Sequence, residues 1–302
     1  MNKPDFQDGA EHWSERLLAD GYCVIPNLVP KTVAALDHDL ALDFESAPFC
    51  SGGFYGARTK RFGRLLTRSC HARTLVQHPL VTAIVERVLA PWCDTIQLNL
   101  TQAIELHAGA LPQLPHRDQD MWRGAIGEIE YLVNVMWPFT PYTRENGATL
   151  VWPESHGLRA LAPSVESSEV AIEMEPGSAL LFLGSTLHGA GGNESAAARR
   201  GAIVSYCLGW LKPYENQWLA YPPEVAARFP ADLAALVGYR QHRPNLGNYE
   251  GQCPSILLRG EPCGPLQAMD ALRPDQEALV EAFVADQLRS ARYAMPHVSR
   301  AV

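Results

Sequence analysis

The chain has 302 residues, 47% of them apolar, which is enough to bury a sizeable core. Its formal charge of -8, from 25 basic and 33 acidic side chains with no long basic run, leaves no electrostatic footprint for nucleic acid or an anionic membrane; a small-molecule partner is the better expectation. No apolar run approaches the ~20 residues of a membrane span, and seven cysteines without a C-x-x-C pair fit reduced thiols, so a soluble cytoplasmic protein, monomer or homodimer, is expected.

"EHWSERLLADGYCVIPNLV" (11–29) predicts an amphipathic helix stopped at Gly21, then a short apolar strand ending at Pro26, and a second helix runs from about Lys31 to Phe44. Residues 45–70 predict a long loop whose basic stretch "ARTKRFGR" (57–64) is a solvated face. "HPLVTAIVERVLAP" (78–91) has helical spacing, and from Asp94 the texture turns to strands: "DTIQLNLTQAIEL", "EIEYLVNVMWPF", "ATLVW", "VAIEM", "SALLFLG" and "GAIVSYCLGW". Strands following one another with few helices between them predict an antiparallel barrel or sandwich over about 94–212, with helices near 223–238 and 274–293. No repeat or linker interrupts the chain, so one domain over 1–302 is the simpler reading.

"LPHRDQDMW" (114–122) holds the one His-x-acid triplet, and ten His with 33 acidic residues in 302 positions predict roughly one by chance. The motif therefore needs context. In an extended segment His116 and Asp118 point to the same face and can reach one point; Asp120 shares that parity and is a rival. A third ligand has to come from another element, and His188 sits just past an apolar strand, before a Gly-rich turn. Two imidazoles and one carboxylate on one octahedral face leave three positions open, the arrangement of non-haem Fe(II) oxygenases. His107, His156 and His71 are rival histidines, His156 reading more as a turn cap. A lone histidine at a strand end is more often a hydrogen-bonded structural residue.

Downstream, "RRGAIVSY" opens a strong strand, and an arginine there could hold the far carboxylate of a keto acid by paired N–H···O bonds. Arg199 and Arg200 face opposite sides of the strand, so at most one enters the barrel and the other is bland surface charge.

These residues resemble the phytanoyl-CoA dioxygenase family, Fe(II)- and 2-oxoglutarate-dependent oxygenases on a double-stranded β-helix, the cupin-like jelly roll. The resemblance covers roughly 14–260 and is carried by "LLADGYCVIPNLV", "HRD", "ENGATLVWPESH", "LHGAGGNES" with "RRGAIVSY", "GWLKPYENQWLAYPPEV" and "LVGYRQHRPNLG". It implies that His116, Asp118 and His188 are the iron ligands, that Arg199 binds the 2-oxoglutarate C5 carboxylate, and that Gln113 and Thr149 also contact 2-oxoglutarate. One departure is visible: Pro153-Glu154-Ser155-His156 stands where the family usually has Pro-Gly-Ser-His, which puts the local turn geometry in question, because glycine relieves strain at positive φ.

The resemblance implies a reaction in which 2-oxoglutarate takes two open positions and O2 the third, releasing succinate and CO2 as a substrate C–H is oxidised. Hydroxylation is the default outcome; desaturation, epoxidation or rearrangement are the variants, and Asp118 occupies the position that a related halogenase leaves for chloride. Phe54-Tyr55-Gly56 with Met121, Trp122 and Trp137 could line an apolar substrate pocket, the bland alternative being ordinary core. Two other function classes share the residues. A zinc hydrolase could use the same donors but has no use for a buried Arg199, and a non-catalytic jelly-roll binding protein does not need them in one pocket.

Overall fold

The computed structural model describes residues 3–260, 262 and 264–293. Among these, nine strands form two antiparallel sheets: β1 (Tyr22–Ile25), β2 (Thr59–Phe62), β3 (Ile96–Leu106), β4 (Leu132–Pro138), β5 (Thr149–Val151), β6 (Val170–Ala171), β7 (Ala179–Leu183), β8 (His188–Ala190) and β9 (Arg199–Leu208). The major sheet runs β1-β7-β4-β9-β3-β2 and the minor sheet β6-β5-β8. This is a jelly roll with flanking helices, and the sheets do not close into a barrel.

Strand alternation assigns each face of the major sheet. Val133, Val135 and Trp137 of β4, with Val204 and Tyr206 of β9, meet Val33, Leu36 and Phe44 and the helix Pro79–Leu89 in the larger apolar core. Met136, Leu180 and Phe182 face the other way, with Ala148 and Val151 of the minor-sheet side. A β-bulge between Leu98 and Leu100 inserts Asn99 into β3 and inverts its parity. Leu98 therefore packs under the helices, whereas Leu100, Gln102 and Ile104 point into the space between the sheets.

The N-terminal helix Lys3–Asp20 ends as expected at Gly21, at φ +83, where a Cβ would lie 2.6 Å from His156 Nδ1. The second helix is split, Pro30–Asp39 and Ala41–Ser46, and the 223–238 region holds two short helices, Pro223–Ala226 and Ala231–Leu236. The 45–70 loop is corrected in part: "TKRF" inside the basic stretch is β2, paired with β3, because its backbone completes the sheet edge whatever its side chains carry. No helix among the described residues is long and apolar enough to cross a membrane.

The missing glycine of "PESH" is explained by the backbone. Glu154 adopts φ +56, the left-handed region that costs a side chain roughly 1–2 kcal/mol, so the turn keeps its shape and carries strain. Glu154→Gly is expected to raise stability by about 0.5–1 kcal/mol once glycine's greater loss of chain entropy is set against that relief. A urea midpoint that falls would contradict it.

Candidate active site

His116 and His188 are brought together by the backbone. His116 N–H donates to His188 O at 2.9 Å and His188 N–H to His116 O at 3.0 Å, so the "PHR" segment adds to the edge of the minor sheet beside β8 with the two histidines directly opposite. Their ring centroids are 4.4 Å apart. Asp118 follows at the start of a single 3-10 turn, Asp118–Met121, which carries its carboxylate back over the pair. Asp118 Oδ1 is 3.4 Å from His116 Nε2, and Oδ2 is 3.7 Å from His188 Nε2.

The donor set fits a metal ion. One ligand atom from each residue lies within 4.8 Å of the others, and donors around an ion at ~2.1 Å stand roughly 3 Å apart, so small side-chain shifts close the cluster. The tautomers are set as well. His116 Nδ1 faces Leu114 O at 2.9 Å and His188 Nδ1 faces Thr186 O at 3.0 Å, and a carbonyl only accepts. Each Nδ1 therefore carries the proton and each Nε2 lone pair is free. Burial lowers the His188 pKa, which keeps its imidazole neutral. Burial alone would raise the Asp118 carboxyl, but in the metal-free site the attraction of the His188 and His116 rings when protonated, with the 2.9 Å N–H bond from Asn134, outweighs it and holds the group below the usual carboxylate range.

A cavity of about 370 Å³ opens beside the cluster and is lined by Gln113, Thr149, Met136, Phe182, Ile203 and Arg199 among others. Arg199, 3% exposed, stacks its guanidinium 4.3 Å above the Tyr142 ring, while Nε and Nη1 have no hydrogen-bond partner among the described residues. A buried cation left this way is costly unless an anion joins it. Gln113 Oε1 accepts Ala190 N–H at 3.3 Å, and Thr149 is buried opposite Ala190. Phe54, Tyr55 and Met121 stand at the cavity, Phe54 edge-on to His116 at 4.8 Å, and the Tyr55 and Tyr214 hydroxyls hydrogen-bond across it.

Several expectations are corrected. Trp137 does not line the cavity: its neighbour Met136 does, and alternation turns Trp137 into the helix-side core at 0% exposure. Trp137→Phe is expected to cost about 1–2 kcal/mol of stability and to leave metal and 2-oxoglutarate affinity unchanged; altered affinity would return it to the pocket. Trp122 also points away, donating from Nε1 to Lys212 O at 3.0 Å and packing near Tyr131. Arg200 is on the opposite face, as alternation requires, but is not bland surface charge: Nε bonds Glu105 Oε2 at 2.5 Å and the guanidinium covers Phe44. Asp120 reaches the cavity wall without joining the cluster. Among the rival histidines, His107 pairs with Glu105 at 2.6 Å, His156 Nε2 bonds Leu18 O at 2.8 Å, and His71 precedes the short helix Ala72–Val76.

Arg61 is a cavity residue that the sequence reading left in solvent. It lies on β2 opposite Ile104, donates from Nη1 to Gln102 Oε1 at 3.0 Å, and has no partner for Nε among the described residues. Its signal was strand parity within "TKRF", hidden by three charged neighbours.

The family model for phytanoyl-CoA dioxygenase (PhyH) matches residues 17–201. Dioxygenase FrzG of Cladobotryum sp is 32% identical over 236 residues, covering 73% of this chain and 76% of that protein. Dioxygenase swnH1 of Metarhizium robertsii is 32% identical over 253 residues, covering 76% and 82%. The crystal structure of the non-heme alpha ketoglutarate dependent epimerase SnoN from nogalamycin biosynthesis matches with TM-score 0.57 at 17% identity, covering 89% of this chain and 97% of that one, a likeness of fold. The chain belongs to the phytanoyl-CoA dioxygenase family and is an Fe(II)- and 2-oxoglutarate-dependent dioxygenase.

Proposed function

We propose that the protein hydroxylates an unactivated C–H of a small organic molecule, with His116, Asp118 and His188 holding the iron. The balance is 2-oxoglutarate + O2 + R–H giving succinate + CO2 + R–OH. Iron bound at the cluster supplies the activation of O2 that is coupled to decarboxylation of the keto acid.

The observation that carries this reading is Arg199, a buried guanidinium with two N–H-bearing nitrogens unpartnered among the described residues, on the same cavity as the donor cluster. A carboxylate presented there takes paired N–H···O bonds that a lysine could not reproduce. A zinc hydrolase needs no such group. Arg61, with its own free N–H, adds a second cation to the same wall, while Gln113 and Thr149 supply neutral polar contacts. The substrate would enter past Phe54, Tyr55 and Met121, whose rings and thioether present an apolar mouth and help exclude water from the cluster.

Succinate release, measured with Fe(II), 2-oxoglutarate and O2 across a panel of small metabolites, tests the proposal, because a bound substrate raises turnover before its product is known. Hydroxylation predicts a product heavier by one oxygen in stoichiometry with succinate. A product lacking that oxygen would move the outcome to desaturation or rearrangement.

A further inference from the structure

The turn 184–187, between β7 and β8, ties the donor-bearing segments together. Gly184 O accepts Gln119 N–H at 3.1 Å, Ser185 O accepts Arg117 Nε at 3.0 Å, and Thr186 O accepts His188 Nδ1–H at 3.0 Å. Three consecutive carbonyls thus each hold a donor residue or its immediate neighbour. The backbone bridge already sets His116 opposite His188, and the turn adds the contacts that hold the flanks of Asp118 and the ring of His188.

One acidic side chain grips that turn. Glu130, just before β4, accepts Ser185 N–H on Oε1 at 3.2 Å and the Ser185 hydroxyl on Oε2 at 2.5 Å. The Ser185 oxygen in turn accepts Gly157 N–H at 3.2 Å. Next door the fit is tight: a Cβ on Gly184 would fall 2.0 Å from Leu132 Cδ2. Burial, against the Ser185 hydrogen bonds, pushes the Glu130 carboxyl up to about 7, so a charge is held there at a cost. Among the described residues no cation offsets it in the hydrogen-bond network: Arg117 spends Nε on Ser185 O and Nη2 on Ser155 O, and on the 153–161 segment Arg159 pairs with Glu154.

The structure assigns Glu130 as a positioning residue for the metal centre: through Ser185 it fixes the 184–187 turn and with it the placement of Asp118 and the His188 ring. The assignment rests on the iron-site reading above. Glu130 neither lines the cavity nor joins the donor cluster and acts only through the turn.

The test is an anaerobic Co(II) titration of the full chain, followed by the visible absorption of the bound ion, whose position and intensity report coordination geometry. Glu130→Ala is expected to weaken Co(II) binding about 10- to 100-fold and to alter the spectrum, the range seen when a partner supporting a ligand is lost. Glu130→Gln, which keeps one acceptor, should fall between that variant and wild type. Ser185→Ala should reproduce much of the loss, and the double variant should be little worse than Glu130→Ala, because both changes cut one linkage. Stability should move the opposite way. The folded-state carboxyl is raised, so the stability its proton lends is lost as pH rises through about 7; Glu130→Gln should therefore have a higher Tm than wild type at pH 8, with little difference at pH 5. Unchanged Co(II) affinity and spectrum in Glu130→Ala, or losses that add in full in the double variant, would overturn the assignment; if Glu130→Ala fails to fold, Glu130→Gln and Ser185→Ala carry the same comparison. His188→Ala separates the two claims: if it keeps Co(II), the iron-site reading fails, and if it alone loses Co(II), only the role of Glu130 fails.

Discussion

His188→Ala is expected to lose bound Fe(II) and all 2-oxoglutarate turnover while keeping its far-ultraviolet dichroism. The β8 contact to the "PHR" segment is made by backbone atoms, so the strand pairing survives removal of the ring. What disappears is one of three donors. Its loss should weaken metal binding by more than the roughly 10- to 100-fold that a missing supporting partner costs. His188→Gln, which offers a weaker and differently placed donor, should not restore turnover. Equilibrium dialysis against Fe(II) under argon checks this, and retention of one equivalent by His188→Ala would remove His188 from the ligand set.

Arg199→Ala should act on the other half of the chemistry. It leaves the donor cluster intact, so iron is expected to stay, while on the proposed reading the cosubstrate carboxylate would lose its buried partner. Truncating one side of a buried hydrogen-bonded charge pair costs about 2–5 kcal/mol, which is roughly a 30- to 5,000-fold rise in the 2-oxoglutarate Kd. Arg199→Lys should recover little, because an ammonium cannot make the paired contact. The variant separates two cations on one wall. If Arg199→Ala binds 2-oxoglutarate normally while Arg61→Ala does not, the carboxylate site belongs to Arg61; Arg200 is not a candidate, since it faces the Glu105 side of the sheet.

Much of the fold was legible because its long strands declare themselves. β3, β4, β7 and β9 each carry enough apolar or alternating residues to stand out, and Gly21 marks the first helix stop without help from tertiary contacts. Of the short strands, β1, β5 and β6 fall within segments whose apolar texture predicts them, but β8 and β2 were not legible. β8 has three residues and reads as the margin of a glycine-rich turn; it becomes a strand only because β5 and the "PHR" segment lie on either side. β2 is four residues, two of them basic, and is stabilised by pairing with a distant strand.

Within the site, side chains near the motif were visible and those set by register were not. His116 and Asp118 are two apart, and His188 and Arg199 stand beside strong strand signals. Arg61, Asn134 and Tyr214 meet them only through sheet order and loop crossing, which no local pattern encodes. Trp137 shows the same limit from the other side: an aromatic near the site in sequence is turned out of it by one step of alternation. The Asn99 bulge has the largest reach, since with unbroken alternation through Asn99 the side chains of Gln102 and Ile104 would face the helices.

The most direct measurement is anaerobic addition of 2-oxoglutarate to the Fe(II)-loaded protein, watched for the weak visible charge-transfer band of the bidentate chelate. The expected result is a saturable band that needs both components, is absent in His188→Ala, and shifts to higher 2-oxoglutarate concentration in Arg199→Ala. A wild-type protein that binds Fe(II) and gives no band at saturating 2-oxoglutarate, or a band of full intensity in His188→Ala, would contradict iron held by these three side chains with positions open to the keto acid.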